Sequence, residues 1–375
     1  MMHSQEHKTL SDQERVKRLQ LLRTPNIGPM TYAQLMARFK GDVDAILDAL
    51  PNLTTKSGKA KSFKIPSAAN IEKELIQATK LGARFIAYDE SDYPLPLSAI
   101  SPPIPIICVR GDMEAFLKPA IAIVGARNAS AAGRKLTRDI SADLAKSGYT
   151  IVSGMARGID GEAHAAALQH GHTIAVLAGG VNAIYPPEHA KLYDRILERG
   201  AIVSEAPIGY TATARDFPKR NRIITGLSMA VLVAEAAKRS GSLISARVAL
   251  EQGREVLAIP GSPLDERTHG SNGLLKQGAW LVEDAHDVIA ALEGCTLPIL
   301  AEAESEEYDL PPLTDCSAST LNTLKIALSP TPTHIDELVR VVGAPHREVQ
   351  IALTELELEG FAQTHAGGFA NTIIE

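Results

Sequence analysis

The stretch Ala120-Ile121-Ala122-Ile123-Val124-Gly125-Ala126-Arg127-Asn128-Ala129-Ser130 decides the fold. An unbroken apolar run stops at a glycine, and a loop leads to Ser130, a residue suited to capping a helix. A strand that is apolar at every position is buried on both faces, as in a parallel sheet covered by helices. The unit recurs towards the C-terminus: apolar runs at 150–152, 173–177, 201–204, 230–233, 255–259 and 279–282 alternate with amphipathic segments. Gly148, Gly171, Gly200, Gly253 and Gly278 each stand just before the next strand, where glycine supplies a left-handed helix cap. This alternation predicts an α/β, Rossmann-like, doubly wound domain with a mostly parallel sheet.

On the N-terminal side, residues 1–80 read as a helical domain. Leu19, Leu22, Leu35 and Phe39 lie on helical stripes, and Asn26-Ile27-Gly28-Pro29 makes a tight break. A proline-rich connector with a strand candidate at 85–88 opens the α/β domain, expected over 81–295. Residues 296–317 read as an acidic linker, and 318–375 as a small separate domain. In that last part a helix covers about 319–328, Thr333 caps a second with Asp336 three residues on, and Gly343-Ala344-Pro345 turns into a third. A hairpin centred on Gly367-Gly368 follows. Three helices and a hairpin form a winged-helix pattern.

Bulk composition bounds the function. Across 375 residues, 45% are hydrophobic, 22% charged and 4% aromatic, a globular profile. Cys108, Cys295 and Cys316 are far apart, which predicts a reduced cytoplasmic protein with neither disulfides nor a zinc site. No apolar run approaches the ~18 residues that span a bilayer, and the polar start lacks a secretory signal. A net charge of −6 excludes a uniformly basic coat, so any nucleic-acid contact needs a local basic patch.

Such a patch exists. Ala214-Arg215-Asp216-Phe217-Pro218-Lys219-Arg220-Asn221-Arg222 carries four cations and one acid, with an aromatic among them. That is a design for single strands: the ring stacks on a base while cations hold phosphates. Equally, Phe217 is a core anchor and the charges a solvated turn; this stretch alone leaves both open. Gly125 and Arg127, with a helix N-terminus near Ser130, read as an anion-binding turn or as an ordinary strand–helix connection. Arginine at the second glycine position of G-x-G-x-x-G disfavours a dinucleotide, and no cofactor is expected. Arg157 lies between two small-residue turns. Gly179-Gly180 and Ser240-Gly241-Ser242 add further strand-end loops rich in backbone donors. Asp160 and His164, one helical turn apart, raise a metal site, but without a third ligand an Asp cap beside a packed His is commoner. No catalytic set emerges; Glu205 and Glu235 follow strands without a visible partner.

Taken in order, these motifs resemble the DNA-processing protein A (DprA/Smf) family. The resemblance rests on Val124-Gly125-Ala126-Arg127 with Ser130 and Gly133, and on Ser153-Gly154-Met155-Ala156-Arg157-Gly158-Ile159-Asp160 with His164. It continues through Ala178-Gly179-Gly180, Tyr185-Pro186, Phe217-Pro218-Lys219-Arg220-Asn221-Arg222, Ser240-Gly241-Ser242 and Ile259-Pro260-Gly261. It implies a non-catalytic protein of natural transformation that binds single-stranded DNA, dimerises and loads RecA recombinase. It implies an N-terminal sterile-alpha-motif-like domain and a C-terminal winged helix. By motif, Arg127 is a phosphate-binding arginine and Phe217 the pocket aromatic. Lys219, Arg220, Asn221 and Arg222 belong to the same motif, and Gly179, Gly180, Gly241 and Ser242 are pocket walls. Where relatives place a lysine shortly before the aromatic, this chain has Thr211, Ala212, Thr213 and Ala214.

Two rivals are weaker. A nucleotide phosphoribohydrolase would need a Pro-Gly-Gly-x-Gly-Thr-x-x-Glu signature, which Leu177-Ala178-Gly179-Gly180-Val181 does not continue; a pure scaffold does not explain the basic aromatic patch. Pro29 removes a backbone amide that a helix-hairpin-helix would offer to phosphate, so the first domain reads as a packing module. The third C-terminal helix sets Arg347 against Glu348, Glu355, Glu357 and Glu359, and is expected to grip duplex DNA poorly.

Overall fold

Adjacent residues of the quoted strand feed two different hydrophobic cores. Ala122 and Val124 join one, and Ile121 and Ile123 the other. The computed structural model describes residues 9–53, 64–294, 317–365 and 368–373. These divide into two units, one holding 9–15 and 69–294, the other 16–53, 64–68 and the C-terminal residues.

The chain begins with α1 (Asp12–Leu22), α2 (Pro29–Arg38) and α3 (Val43–Leu53). Asn26 takes φ of 70° at the break between the first two, a left-handed conformation that asparagine tolerates better than most residues. Gly28 caps α2 and Pro29 occupies its first turn, where the missing N–H has no intrahelical partner to lose.

In the larger unit follow α4 (Ala68–Lys80), β1 (Ala83–Ala87), α5 (Leu95–Ser98), β2 (Ile106–Gly111), β3 (Ala120–Val124), α6 (Ala131–Lys146) and β4 (Thr150–Ser153). Then come α7 (Ile159–Ala167), β5 (Thr173–Val176), α8 (Ala190–Arg199), β6 (Gly200–Ser204), α9 (Asp216–Gly226) and β7 (Ala230–Val233). The unit closes with α10 (Gly241–Glu251), β8 (Glu255–Ala258), α11 (His269–Lys276), β9 (Trp280–Leu281) and α12 (Ala285–Gly294). The sheet order is β1-β2-β6-β5-β4-β3-β7-β8-β9. From β6 to β9 the pairs are parallel; β2 runs antiparallel to β6, and β1 antiparallel to β2. Helices cover both faces: α6, α7 and α12 pack on the Ile121 side, and α9 and α10 on the Ala122 side. Each buried Val, Leu or Ile contributes about 1.5–3 kcal/mol.

Several expectations change. The connector holds a strand, β2, that the prolines around it conceal. Helix α4 packs within the larger unit from Ala69 onward. Its Ile71 and Ala78 are buried, and its Glu74 carboxylate accepts the Ile208 N–H at 3.2 Å. Gly148, Gly253 and Gly278 have positive φ, as helix caps require, but Gly171 and Gly200 do not. Gly200 is extended at the start of β6, where a Cβ would stand 2.1 Å from the Thr173 carbonyl oxygen.

The C-terminal module holds α13 (Ala318–Ala327), β10 (Thr333–His334), α14 (Ile335–Val342), α15 (His346–Leu358), β11 (Ala362–His365) and β12 (Phe369–Thr372). The three strands form one sheet in the order β10-β12-β11. The cap of α14 is His334, not Thr333: Thr333 pairs with Ala370 in the sheet, and His334 Nδ1 accepts the Asp336 N–H. The acids of α15 have local partners, Glu348 on Thr320, Glu357 on Thr364 and Glu359 on Lys325. The linker at 296–316, with Cys295 and Cys316, and Gly367 lie outside the described residues.

Candidate nucleic-acid interface

The chain leaves β3 towards β4 and reaches β7, on the other side of β3, only after β6. The helices that follow β3 and β7 therefore cover opposite faces. Ile140 and Leu144 of α6 join one core, Ala246 and Ala249 of α10 the other. The two loops diverge at the strand ends and leave a crevice, the place where open α/β sheets bind ligands. A cavity of about 220 Å³ lies there. Gly125, Arg127, Phe217, Arg220, Asn221, Gly241 and Ser242 from the sequence set line it, together with Asp160, Ser240 and Ser245.

Phe217 is delivered by the first turn of α9. Asp216 begins the helix and accepts from the Thr213 N–H (2.9 Å), the Thr213 hydroxyl (2.8 Å) and the Tyr210 hydroxyl (2.8 Å). Burial opposes its charge, but these bonds outweigh that and hold the carboxyl well below its ordinary range. Pro218 sits in the same turn, where a helix tolerates proline. The half-buried Phe217 ring has the Arg127 guanidinium carbon 5.2 Å and the Arg220 guanidinium carbon 5.9 Å from its centroid. Tyr185 meets it edge-on at 5.9 Å. Arg127 is exposed, so its charge is available to a ligand.

Arg220 is only 7% exposed. Its Nη1 donates to the Val176 carbonyl at 2.9 Å, its Nε has no partner among the described residues, and Gly154 makes room for it. Asp160, 5% exposed, accepts the Gly154 and Ala156 N–H groups at 3.2 and 3.3 Å. Burial raises the Asp160 pKa and Arg220 opposes the rise; burial lowers the Arg220 pKa and Asp160 opposes the fall. The two groups thus oppose each other's desolvation behind the ring. On the far wall, Ser240 caps α10 by accepting the Ser242 N–H, and its hydroxyl lies 2.6 Å from that of Ser242.

Other residues of the sequence set stand elsewhere. Ser130 caps α6 by accepting the Gly133 N–H at 2.9 Å, and its own N–H donates to the Glu235 carboxylate at 2.8 Å. The helix N-terminus that looked open to phosphate therefore already holds an internal anion. Arg222 gives its Nη2 to both Glu205 oxygens, at 2.8 and 2.7 Å. Lys219 is exposed and paired with Asp216 at 3.3 Å, and Arg157 is paired with Glu188. Gly179 and Gly180 are packing glycines: a Cβ on either would stand 2.7 Å from the Tyr210 or 2.3 Å from the Pro207 carbonyl oxygen. Gly125 lines the cavity, but its Cβ would meet Ile159 at 2.6 Å, so packing as well as ligand approach requires glycine. Ser240 and Ser245 were missed as site residues. Their small polar pattern at a helix start was visible, but not which wall of the cleft it forms.

His164 and Asp160 do not share a free face. Thr173 Oγ1 donates to the Ile151 carbonyl, so His164 Nδ1 is the donor in the 2.6 Å contact with it, and Nε2 accepts the Met155 N–H at 3.3 Å. That is a neutral imidazole with both nitrogens used. Burial, followed by His189 and Arg220, pushes its pKa down to about 3. No group of three or more His, Cys, Asp or Glu side chains is placed to hold a metal among the described residues. No helix among them is long and apolar enough to cross a membrane.

Comparison with known proteins covers all three parts. The family described as DNA recombination-mediator protein A matches residues 84–293. A DprA-like N-terminal HHH domain matches 12–77, and a DprA winged helix domain matches 309–368. The first domain was read as a packing module with a helix-hairpin-helix as the lesser option; the match is to an HHH domain. Protein Smf of Escherichia coli is 39% identical over 329 residues, 87% of each chain. The structure of DNA processing protein A from Streptococcus pneumoniae superposes with a TM-score of 0.63 at 32% identity, covering 76% of this chain and 98% of that one. The structure of DNA processing protein A from Helicobacter pylori, described for its single-stranded DNA binding mode, gives 0.52 at 28% identity, covering 56% and 96%. The chain belongs to the DNA recombination-mediator protein A family.

Proposed function

We propose that this protein binds single-stranded DNA in the crevice between the β3 and β7 loops. The observation that carries this reading is the half-buried Phe217 ring with Arg127 and Arg220 within 6 Å of its centroid. A base stacks on such a ring while the exposed guanidinium holds a neighbouring phosphate. The single-strand mode described for the Helicobacter pylori relative supports it.

In this reading the protein is a cytoplasmic homodimer of natural transformation that performs no chemistry on the strand and hands it to RecA recombinase. The family's description as a recombination mediator supports the last step. Glu205 and Glu235, the acids that follow strands, are engaged by Arg222 and the Ser130 N–H, which favours binding over acid–base work. The deciding experiment is binding of single-stranded and duplex oligonucleotides of equal length across salt. A preference for the single strand, weakening with salt, is expected; equal or tighter duplex binding overturns the reading.

A further inference from the structure

A second groove, of about 360 Å³, lies in the same unit, lined by Arg134, Glu162, Glu188, His189, Lys191 and Arg195 among others. Its charge is one-sided. Glu188 is held by Arg157, and Glu162 by Arg138 at 3.1 Å and Arg134 at 3.8 Å. Lys191 and Arg195, four residues apart on α8, share one helix face; both are exposed, and neither has an ion pair among the described residues. Arg134, Arg138 and Arg157 thus balance the two carboxylates, and Lys191 and Arg195 remain as surplus positive charge in a chain of net charge −6. Like charges four residues apart on a helix repel one another; an anionic ligand gives them a partner.

Two chain segments link the groove to the Phe217 cleft. Tyr185, 53% exposed and edge-on to Phe217, leads directly into Pro186-Pro187-Glu188-His189 at the groove wall. On the other side, Gly158 lines the groove while packing against the loop that carries Arg127: its Cβ would stand 2.6 Å from the Arg127 carbonyl oxygen. An aromatic step between a stacking site and a basic groove suits a polymer of bases and phosphates, not a small anion.

We propose that the Lys191–Arg195 groove is a second subsite, which holds the sugar–phosphate backbone of the same single strand after it passes over Tyr185. The inference rests on the single-strand reading of the Phe217 cleft. It is tested on the full chain with oligo-dT of about 4 and about 16 nucleotides, the span of known single-strand site sizes. In Lys191→Ala/Arg195→Ala, the salt slope for the longer strand should fall by about 1.4, since each phosphate contact on a single strand is worth about 0.7. The slope for the shorter strand should not move. An unchanged slope for the longer strand overturns the second subsite while leaving the first intact. A wild-type protein that binds neither length overturns the reading beneath it.

Discussion

Arg127 and Phe217 lie 90 residues apart in sequence, yet the guanidinium carbon of one stands 5.2 Å from the ring centroid of the other. Loop and helix meet only because β3 and the start of α9 border one crevice. In the proposed reading the ring carries the base and the cation the phosphate, so the two contributions are separable. Phe217→Ala should weaken oligo-dT binding by about 1–3 kcal/mol and leave its salt dependence unchanged. Phe217→Trp should restore affinity. Fluorescence titration across salt reads both; a changed slope with unchanged affinity would mean that the ring serves only to position Arg127.

Arg127 and Arg222 come from motifs of equal standing in the sequence but should behave oppositely. Arg127→Ala removes an exposed charge, and the salt slope should drop by about 0.7. Arg222→Ala removes the guanidinium that donates to both oxygens of the half-buried Glu205; stability should fall by about 1–3 kcal/mol with the slope intact. Denaturant unfolding and oligonucleotide titration on the two variants separate the roles.

Gly154→Ala tests Arg220 without touching its charge. The added Cβ would stand 1.6 Å from Arg220 Nη1, so the guanidinium must abandon the Val176 carbonyl. Overpacking of this kind costs about 1–3 kcal/mol, and single-strand binding should weaken with it. Binding at wild-type affinity would show that the Arg220 position is irrelevant to the cleft.

His164 predicts a pH profile. Its folded pKa of about 3 lies below the ordinary 6.5, so between those values the unfolded chain binds the extra proton. The stability due to its neutral form is complete above pH 6.5 and is lost progressively as pH falls towards 3, by up to about 1.4 kcal/mol per unit. Unfolding of wild type and His164→Gln from pH 7 to 4 measures this: the wild type should lose stability faster. Parallel curves would refute the assignment.

The sheet was largely legible because a parallel strand buried on both faces has a simple signature, and β7 coincides with the run at 230–233. Strand β2 was hidden because Ile106–Gly111 sits behind Pro102, Pro103 and Pro105 and pairs antiparallel with a strand nearly a hundred residues on. At the site, residue type was readable but direction was not. Along α9, Lys219 points to solvent, Arg220 is buried and Arg222 turns to Glu205, although the sequence shows one basic cluster. The match between Ser130 and Glu235 spans 105 residues and leaves no periodic trace.

That match has a consequence for competition inside a cell. Folds of this kind commonly seat a mononucleotide or dinucleotide pyrophosphate where the first strand meets its helix. Here a carboxylate of the chain itself fills that seat. A free nucleotide arriving there would meet a negative charge at the Ser130 amide in place of an open donor. In the proposed single-strand reading, a strand reaches past that edge to the ring and the guanidinium at once and has no need of the seat.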